Sequence, residues 1–127
     1  MKKQNALNKK GGIMHGFCHI EIPTTDSQES KGFYEKIFGW KMDESNPEYI
    51  QFSTPDNEGG GFTSSSKPVQ DGVVLYIEVK DIEKKLKEIE EAGGKIIKEK
   101  TGISPEFGFY ALFDDPCGSL IGLWSKT

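Results

Sequence analysis

The chain has 127 residues, enough for one domain with a core of its own, and it carries a formal net charge of −4. An acidic chain is a poor partner for nucleic acid, since phosphate binding depends on basic surface. No apolar run approaches the roughly 18 residues of a membrane span, so we expect no membrane partner. Two cysteines, Cys18 and Cys117, are too few for a disulfide framework. The low cysteine content and the lack of an apolar secretion signal in the first residues together favour a cytoplasmic location.

The first half of the chain is predicted to contain a strand, a helix and three further strands. Residues 1–12, which are rich in lysine, are predicted to form a disordered tail. Residues 13–22 alternate between apolar and polar side chains, as in a half-buried strand, and Pro23 is expected to end it. Asp26 is a natural N-cap for a helix that runs to about Phe38. Three short strands are predicted next, at residues 40–42, 49–53 and 60–64.

The second half repeats this order. Residues 73–79 form the most apolar predicted strand, and Asp81 is predicted to cap the second helix. The apolar stripe of this helix comprises Ile82, Leu86, Ile89 and Ala92. The pattern then predicts strands beginning at Ile96 and covering residues 109–113 and 120–124, with a loop at residues 101–106.

A pair of similar stretches marks an internal repeat. His19-Ile20-Glu21-Ile22 and Tyr76-Ile77-Glu78-Val79 lie 57 positions apart (76 − 19). We therefore predict a single α+β domain at residues 13–127, built from two tandem βαβββ modules at about 13–67 and 72–127. Each helix would cover one face of its own sheet. The other faces would line a concave surface, which is the usual place for a ligand.

The predicted ligand-binding residues lie on the strand faces that the helices leave uncovered. They are His19, Glu21, Tyr76, Glu78 and Trp124. At a repeat of 57 residues His19 matches Tyr76 and Glu21 matches Glu78, while Trp124 would add a stacking surface. The two glutamates fit either a pair of general bases or solvated strand carboxylates. No residue is assigned a catalytic role.

Three segments carry a family resemblance: HIEIPTTDSQESKGFYEKIFGWK in the first half, and YIEVKDIEKKLKEIEEAGGK and DDPCGSLIGLW in the second. In these segments the chain resembles the vicinal oxygen chelate superfamily, which includes glyoxalases, bleomycin-resistance proteins and extradiol dioxygenases. The resemblance covers about residues 13–125. It implies an open, U-shaped mixed β-sheet with helices on its outer face, a small-molecule cleft between the modules, and frequent homodimerisation.

The resemblance also raises the question of a metal. In metal-using members, four ligands from equivalent strands hold a divalent ion that binds two substrate oxygens or activates oxygen. In this chain the resemblance places those positions on Phe17, Gly60 or Gly61, Val74 and Gly122. None of these side chains can bind a metal, so we predict that the family's metal site is absent. A shifted set of His19, Glu21 and Glu78 is the alternative for a divalent metal.

Three functions follow as hypotheses. The preferred one is a glyoxalase- or bleomycin-resistance-like protein that binds a small organic molecule without a metal. The second is a divalent-metal-dependent lyase, isomerase (similar to lactoylglutathione lyase) or dioxygenase with shifted ligands. The third is a non-enzymatic interaction module whose cleft is closed by partner subunits. Whether the two modules pair within one chain or between two chains stays open at this point.

Overall fold

The computed structural model describes residues 15–127, so the predicted tail at 1–12 lies outside the described residues. Two helices and eight strands in this range form two mixed four-stranded sheets, which confirms the predicted α+β class. The first sheet contains β1 (Ile20–Pro23), β2 (Lys41–Asp43), β3 (Gln51–Ser53) and β4 (Gly59–Thr63), with helix α1 at Ser27–Phe38. The second contains β5 (Leu75–Glu78), β6 (Lys95–Ser104), β7 (Gly108–Asp114) and β8 (Leu120–Ser125), with helix α2 at Ile82–Glu91.

Both sheets have the same strand order. It is β1-β4-β3-β2 in the first and β5-β8-β7-β6 in the second, so the βαβββ repeat is confirmed. In each sheet the first strand pairs in parallel with the last, and the remaining pairs are antiparallel. β1 and β5 are therefore edge strands. No strand of one sheet pairs with a strand of the other within residues 15–127.

The two helices begin at the predicted caps. The Asp26 carboxylate accepts hydrogen bonds from the backbone N–H groups of Gln28 (3.1 Å) and Glu29 (3.2 Å), and Asp81 caps α2 in the same way. Gly39 ends α1 with a φ of 70°, a left-handed conformation that glycine adopts without strain. Within the described residues, neither helix has the length and apolar character that a membrane crossing requires.

One core joins the two modules through their helices. The buried stripe of α1 includes Phe33, whose ring lies 6.1 Å from that of Phe113 in the second sheet. Tyr34, also on α1, packs on Phe62 of its own sheet and donates a 2.8 Å hydrogen bond to Asp115, which directly follows β7. α1 therefore contacts both sheets. Apolar burial of this kind is the main force that holds the modules together.

Two strand predictions differ from the structure. Within the described residues the first strand is only Ile20–Pro23, so it begins later than predicted, and Pro23 is its last residue. Proline is tolerated there because β1 is an edge strand and one of its sides makes no ladder hydrogen bonds. The predicted loop at residues 101–106 is also wrong, because β6 continues to Ser104. The turn comes later, before Gly108, whose φ is 72°.

Candidate functional site

Each sheet has an open face, which we define as the face turned away from the helices. On the first sheet, Glu21 of β1 lies beside Gly61 of β4, and Gly61 lies beside Gln51 of β3. His19, just before β1, and Tyr49, just before β3, extend this surface. A Cβ atom added to Gly61 would overlap the Tyr49 ring. The absence of a side chain at Gly61 therefore lets the tyrosine lie flat on the sheet.

Three side chains on this face form a hydrogen-bonded chain. The Tyr49 hydroxyl donates to Glu21 Oε2 at 2.8 Å and lies 2.6 Å from His19 Nε2. Burial raises the pKa of Tyr49 to about 12, and the hydrogen bond and negative charge of Glu21 act in the same direction. The phenol is therefore protonated at neutral pH. His19 and Glu21 were predicted to line a site, and the structure brings them together.

Sequence reasoning missed Tyr49, although the sequence contains a signal for it. In Tyr49-Ile50-Gln51-Phe52 the buried residues are Ile50 and Phe52, which point into the core. Alternation along a strand then places Tyr49 on the open face with Gln51. What the alternation does not show is that its hydroxyl reaches residues about thirty positions earlier in the chain.

The open face of the second sheet is aromatic. Tyr76, which is 51% exposed, lies beside Gly122 of β8, and a Cβ atom at Gly122 would overlap its ring. The Tyr76 and Tyr110 ring centroids are 6.4 Å apart. Tyr110 pairs across the strands with Trp124, whose Nε1–H donates a 2.6 Å hydrogen bond to the Phe107 carbonyl. Two of the predicted residues, Tyr76 and Trp124, thus belong to one aromatic surface.

The structure does not gather all five predicted residues into one cavity. His19 borders a groove of about 320 Å³ on the first sheet. Glu21 borders a groove of about 520 Å³ between the edges of β1 and β5. Glu78 borders a third groove, of about 410 Å³, beside α2. A ligand bound in any one of these three grooves would therefore not touch all five predicted residues.

Backbone pairing corrects the predicted match between the repeats. The N–H of Thr24 donates to the Thr63 carbonyl as the N–H of Val79 donates to the Trp124 carbonyl, and the two donors are 55 positions apart (79 − 24). The N-caps Asp26 and Asp81 have the same separation (81 − 26). The repeat is therefore 55 residues at this point, and the predicted 57 is wrong.

The corrected register changes which residues are equivalent. Glu21 corresponds to Tyr76 (21 + 55), not to Glu78, so the predicted pair of equivalent glutamates is wrong. His19, not Phe17, corresponds to Val74 (19 + 55). The parallel partner of Glu21 is Gly61 and that of Tyr76 is Gly122, so these two glycines are also equivalent.

The corrected positions can be tested for their fit to a metal. In the corrected register, the four positions equivalent to the family's ligands are His19, Gly61, Val74 and Gly122, and only the histidine side chain has a donor atom. Tyrosine rings cover both glycines, and the Tyr49 hydroxyl stands between His19 and Glu21. Within the described part of the chain, no group of three or more His, Cys, Asp or Glu side chains is placed to hold a metal ion. These residues do not fit the family's four-ligand site.

Comparison with solved structures shows the same fold. A glyoxalase/bleomycin resistance protein/dioxygenase family enzyme from Burkholderia phytofirmans superposes with a TM-score of 0.74 at 19% identity, covering 87% of this chain and 98% of that one. A mutant of the fosfomycin resistance protein FosX from Listeria monocytogenes, complexed with Mn(II), gives 0.73 at 16% identity, covering 91% and 93%. TnmS3, an antibiotic binding protein from a Streptomyces species, gives 0.65 at 18% identity, covering 90% and 98%.

Sequence comparison gives the family. CFP32 of Mycobacterium bovis, a protein named as a glyoxylase, is 25% identical over an alignment 126 positions long that covers 85% of this chain. The match spans 44% of CFP32, so this chain corresponds to less than half of that protein. The family model matches residues 16–123, nearly the whole of both sheets. With the repeated βαβββ topology, this match shows that the chain belongs to the Glyoxalase/Bleomycin resistance protein/Dioxygenase superfamily.

Proposed function

We propose that the protein binds a small organic molecule on the open faces of its sheets, and that it does so without the divalent metal of other superfamily members. The observation that carries this proposal is the pair of tyrosine rings, Tyr49 over Gly61 and Tyr76 over Gly122. They lie where the resemblance places metal-binding carboxylates. A tyrosine supplies an apolar ring and a polar hydroxyl, which suit stacking and hydrogen bonding instead of coordination.

The relatives support an organic ligand of modest size. TnmS3 is an antibiotic binding protein, and FosX is a fosfomycin resistance protein. The FosX complex with Mn(II) is the reason to test a metal-dependent lyase or isomerase as the second candidate function. For that function His19 and Glu21 would have to bind a metal ion in place of their hydrogen bonds to the Tyr49 hydroxyl. A cytoplasmic location, with neither nucleic acid nor membrane as partner, belongs to the same proposal.

We further propose that two copies of the chain complete the cleft as a homodimer. The open-face residues of the two sheets do not share one of the grooves described above, whereas β1 and β5 both leave an edge unpaired. Apolar side chains flank these edges: Phe17 is 89% exposed and Val73 is 93% exposed. An exposed apolar patch of this kind is typical of a protein–protein contact. Pairing between copies would place the polar open face of one chain near the aromatic open face of its partner.

The double variant Phe17→Asp/Val73→Asp is expected to be a monomer, because two buried carboxylates would be desolvated in the dimer contact. Light scattering after size exclusion should give twice the 14.2 kDa chain mass for the wild type and 14.2 kDa for the variant. Phe107→Asp is the matched control, since Phe107 is 63% exposed and lies at the turn before β7. A monomeric wild type, or a double variant that is still dimeric, would contradict the proposed dimer.

A thermal-shift screen of metabolites and antibiotics is expected to find an organic stabiliser. A ligand at one hundred times its Kd adds about 2.7 kcal/mol to native-state stability. His19→Ala and Tyr76→Ala should abolish most of this gain, and Phe107→Ala should retain it. Mn(II), Ni(II) or Zn(II) alone should not stabilise the protein. Stoichiometric stabilisation by one of these metals would refute the proposal and favour the metal-dependent candidate. A ligand-induced stabilisation that is unchanged in both variants would refute the proposed site.

A further inference from the structure

The His19–Tyr49–Glu21 chain on the first sheet has a fixed direction of hydrogen bonding. We propose that it recognises a ligand group that donates hydrogen bonds, of the class of protonated amines and amidines, and that Tyr49 is the positioning residue that holds His19 for this purpose. The inference rests on the proposed function, because it names the ligand class that the open face of the first sheet would take. Four observations lead to it.

The first is the number of protons available to the three groups. A phenol has one proton, and the Tyr49 hydroxyl donates it to the Glu21 carboxylate at 2.8 Å. The Tyr49 oxygen can then only accept from His19, whose Nε2 lies 2.6 Å away. Nε2 must therefore carry a proton. In a neutral imidazole this leaves Nδ1 as an acceptor.

The second observation is that Tyr49 is held in place. Its ring lies on the backbone of Gly61, where any larger residue would overlap it. The His19 and Tyr49 rings are nearly parallel, at 21°, with centroids 6.2 Å apart. The hydroxyl thus has a defined position between its two partners. A group held in this way loses little conformational entropy when a ligand binds.

The third observation is the charge of the chain of groups. When His19 is the neutral Nε2–H tautomer, the Glu21 carboxylate carries the only formal charge of the three groups. Its second oxygen and His19 Nδ1 are both acceptors. Acceptors next to one negative charge complement a cationic donor and repel a carboxylate or phosphate.

The fourth observation is the groove that His19 borders, of about 320 Å³, which is large enough for a small side group. Its polar lining residues, besides His19, are Lys41, Asp43, Gln51, Ser53 and Asn57. Hydrogen bonds from the Ser45 hydroxyl and N–H lower the pKa of Asp43, so this carboxylate is ionised. Within this groove Asp43 balances Lys41. The preference for a cation therefore comes from the Glu21 carboxylate, which the Tyr49 hydroxyl links to His19.

The direction of the chain can be tested in the free protein by ¹⁵N NMR of the imidazole nitrogens. The sequence has only two histidines, so His15→Ala leaves His19 as the single signal. In alkaline buffer the wild-type His19 is expected to be the Nε2–H tautomer. Glu21→Ala should free the Tyr49 proton to donate to His19 and shift the population towards Nδ1–H. Tyr49→Phe should give a mixture of tautomers, whereas a merely structural role would leave the tautomer unchanged.

The ligand class is tested with benzylamine and benzoate, which share a ring and carry opposite charges. Benzylamine is expected to shift the His19 nitrogens, and Glu21→Ala to weaken its binding by about tenfold or more, the loss of one charge-assisted hydrogen bond. Equal or tighter binding of benzoate, no response to benzylamine, or a wild-type Nδ1–H tautomer would overturn the inference. A screened compound that stabilises the wild type and Tyr49→Phe equally would contradict the role of the His19–Tyr49–Glu21 chain and leave the proposed function in place. The absence of any organic stabiliser would remove the proposed function.

Discussion

Phe113→Ala is expected to lower the free energy of unfolding by about 3–5 kcal/mol, the cost of emptying a fully buried aromatic site. Phe113 is 0% exposed and packs against Phe33 and Phe38 of α1, with ring centroids 6.1 and 6.2 Å away. The substitution removes both of these aromatic contacts between the helix of the first module and the second sheet. Chemical denaturation followed by Trp fluorescence measures the change.

The control for this loss is Phe107→Ala, the same chemical change at an exposed site. Phe107 is 63% exposed, and its contact with Trp124 is made by the backbone carbonyl, which alanine keeps. Its cost should stay below about 1 kcal/mol. If Phe113→Ala costs no more than Phe107→Ala, the modules are not held together by the core described above.

Asp115→Ala is expected to cost about 3 kcal/mol, because it leaves buried donors without an acceptor. The Asp115 carboxylate accepts from the Tyr34 hydroxyl at 2.8 Å and from the N–H groups of Cys117 (3.0 Å) and Ser119 (2.9 Å). Burial raises the pKa of Asp115 against the opposing effect of these hydrogen bonds, and burial also raises the pKa of Tyr34. Denaturation of single and double variants with Tyr34→Phe would give the coupling between the two side chains.

The adjacent carboxylate provides the comparison for this variant. Asp114 accepts a 2.8 Å hydrogen bond from Gln70 in the linker between the sheets, and this contact is exposed to solvent. Asp114→Ala should therefore cost less than about 1 kcal/mol. Equal losses for Asp114→Ala and Asp115→Ala would mean that the Tyr34–Asp115 contact does not stabilise the junction of the modules.

The two open faces differ in chemistry although the modules share a topology. The first presents His19, Tyr49 and Glu21, which can hydrogen-bond a polar group. The second presents Tyr76 and its aromatic neighbours, which can stack on a planar one. A ligand with an aromatic body and a basic group would satisfy both. Tyr76→Ala tests the aromatic contact on the second sheet, and Glu21→Ala tests the polar contact on the first.

The amino-acid sequence determined the elements whose causes are local. Asp26 and Asp81 cap the two helices as predicted, because the hydrogen bonds of a cap reach only two or three residues along the chain. Gly39 ends α1 for a similarly local reason, the left-handed backbone that a glycine tolerates. The repeated order of strands and helices followed from these signals and from the alternation within strands, so the βαβββ topology was predictable.

The tertiary structure alone decided the site. The recurrence of Ile-Glu suggested a repeat of 57 residues, whereas hydrogen bonding between strands, which one sequence does not display, gives 55. That change of two residues keeps every side chain on the same face, so alternation cannot detect it. Tyr49 and Asp115 were missed as partners for the same reason. Their contacts join residues 28 to 81 positions apart, and such contacts depend on how the sheets and helices pack, not on the local pattern.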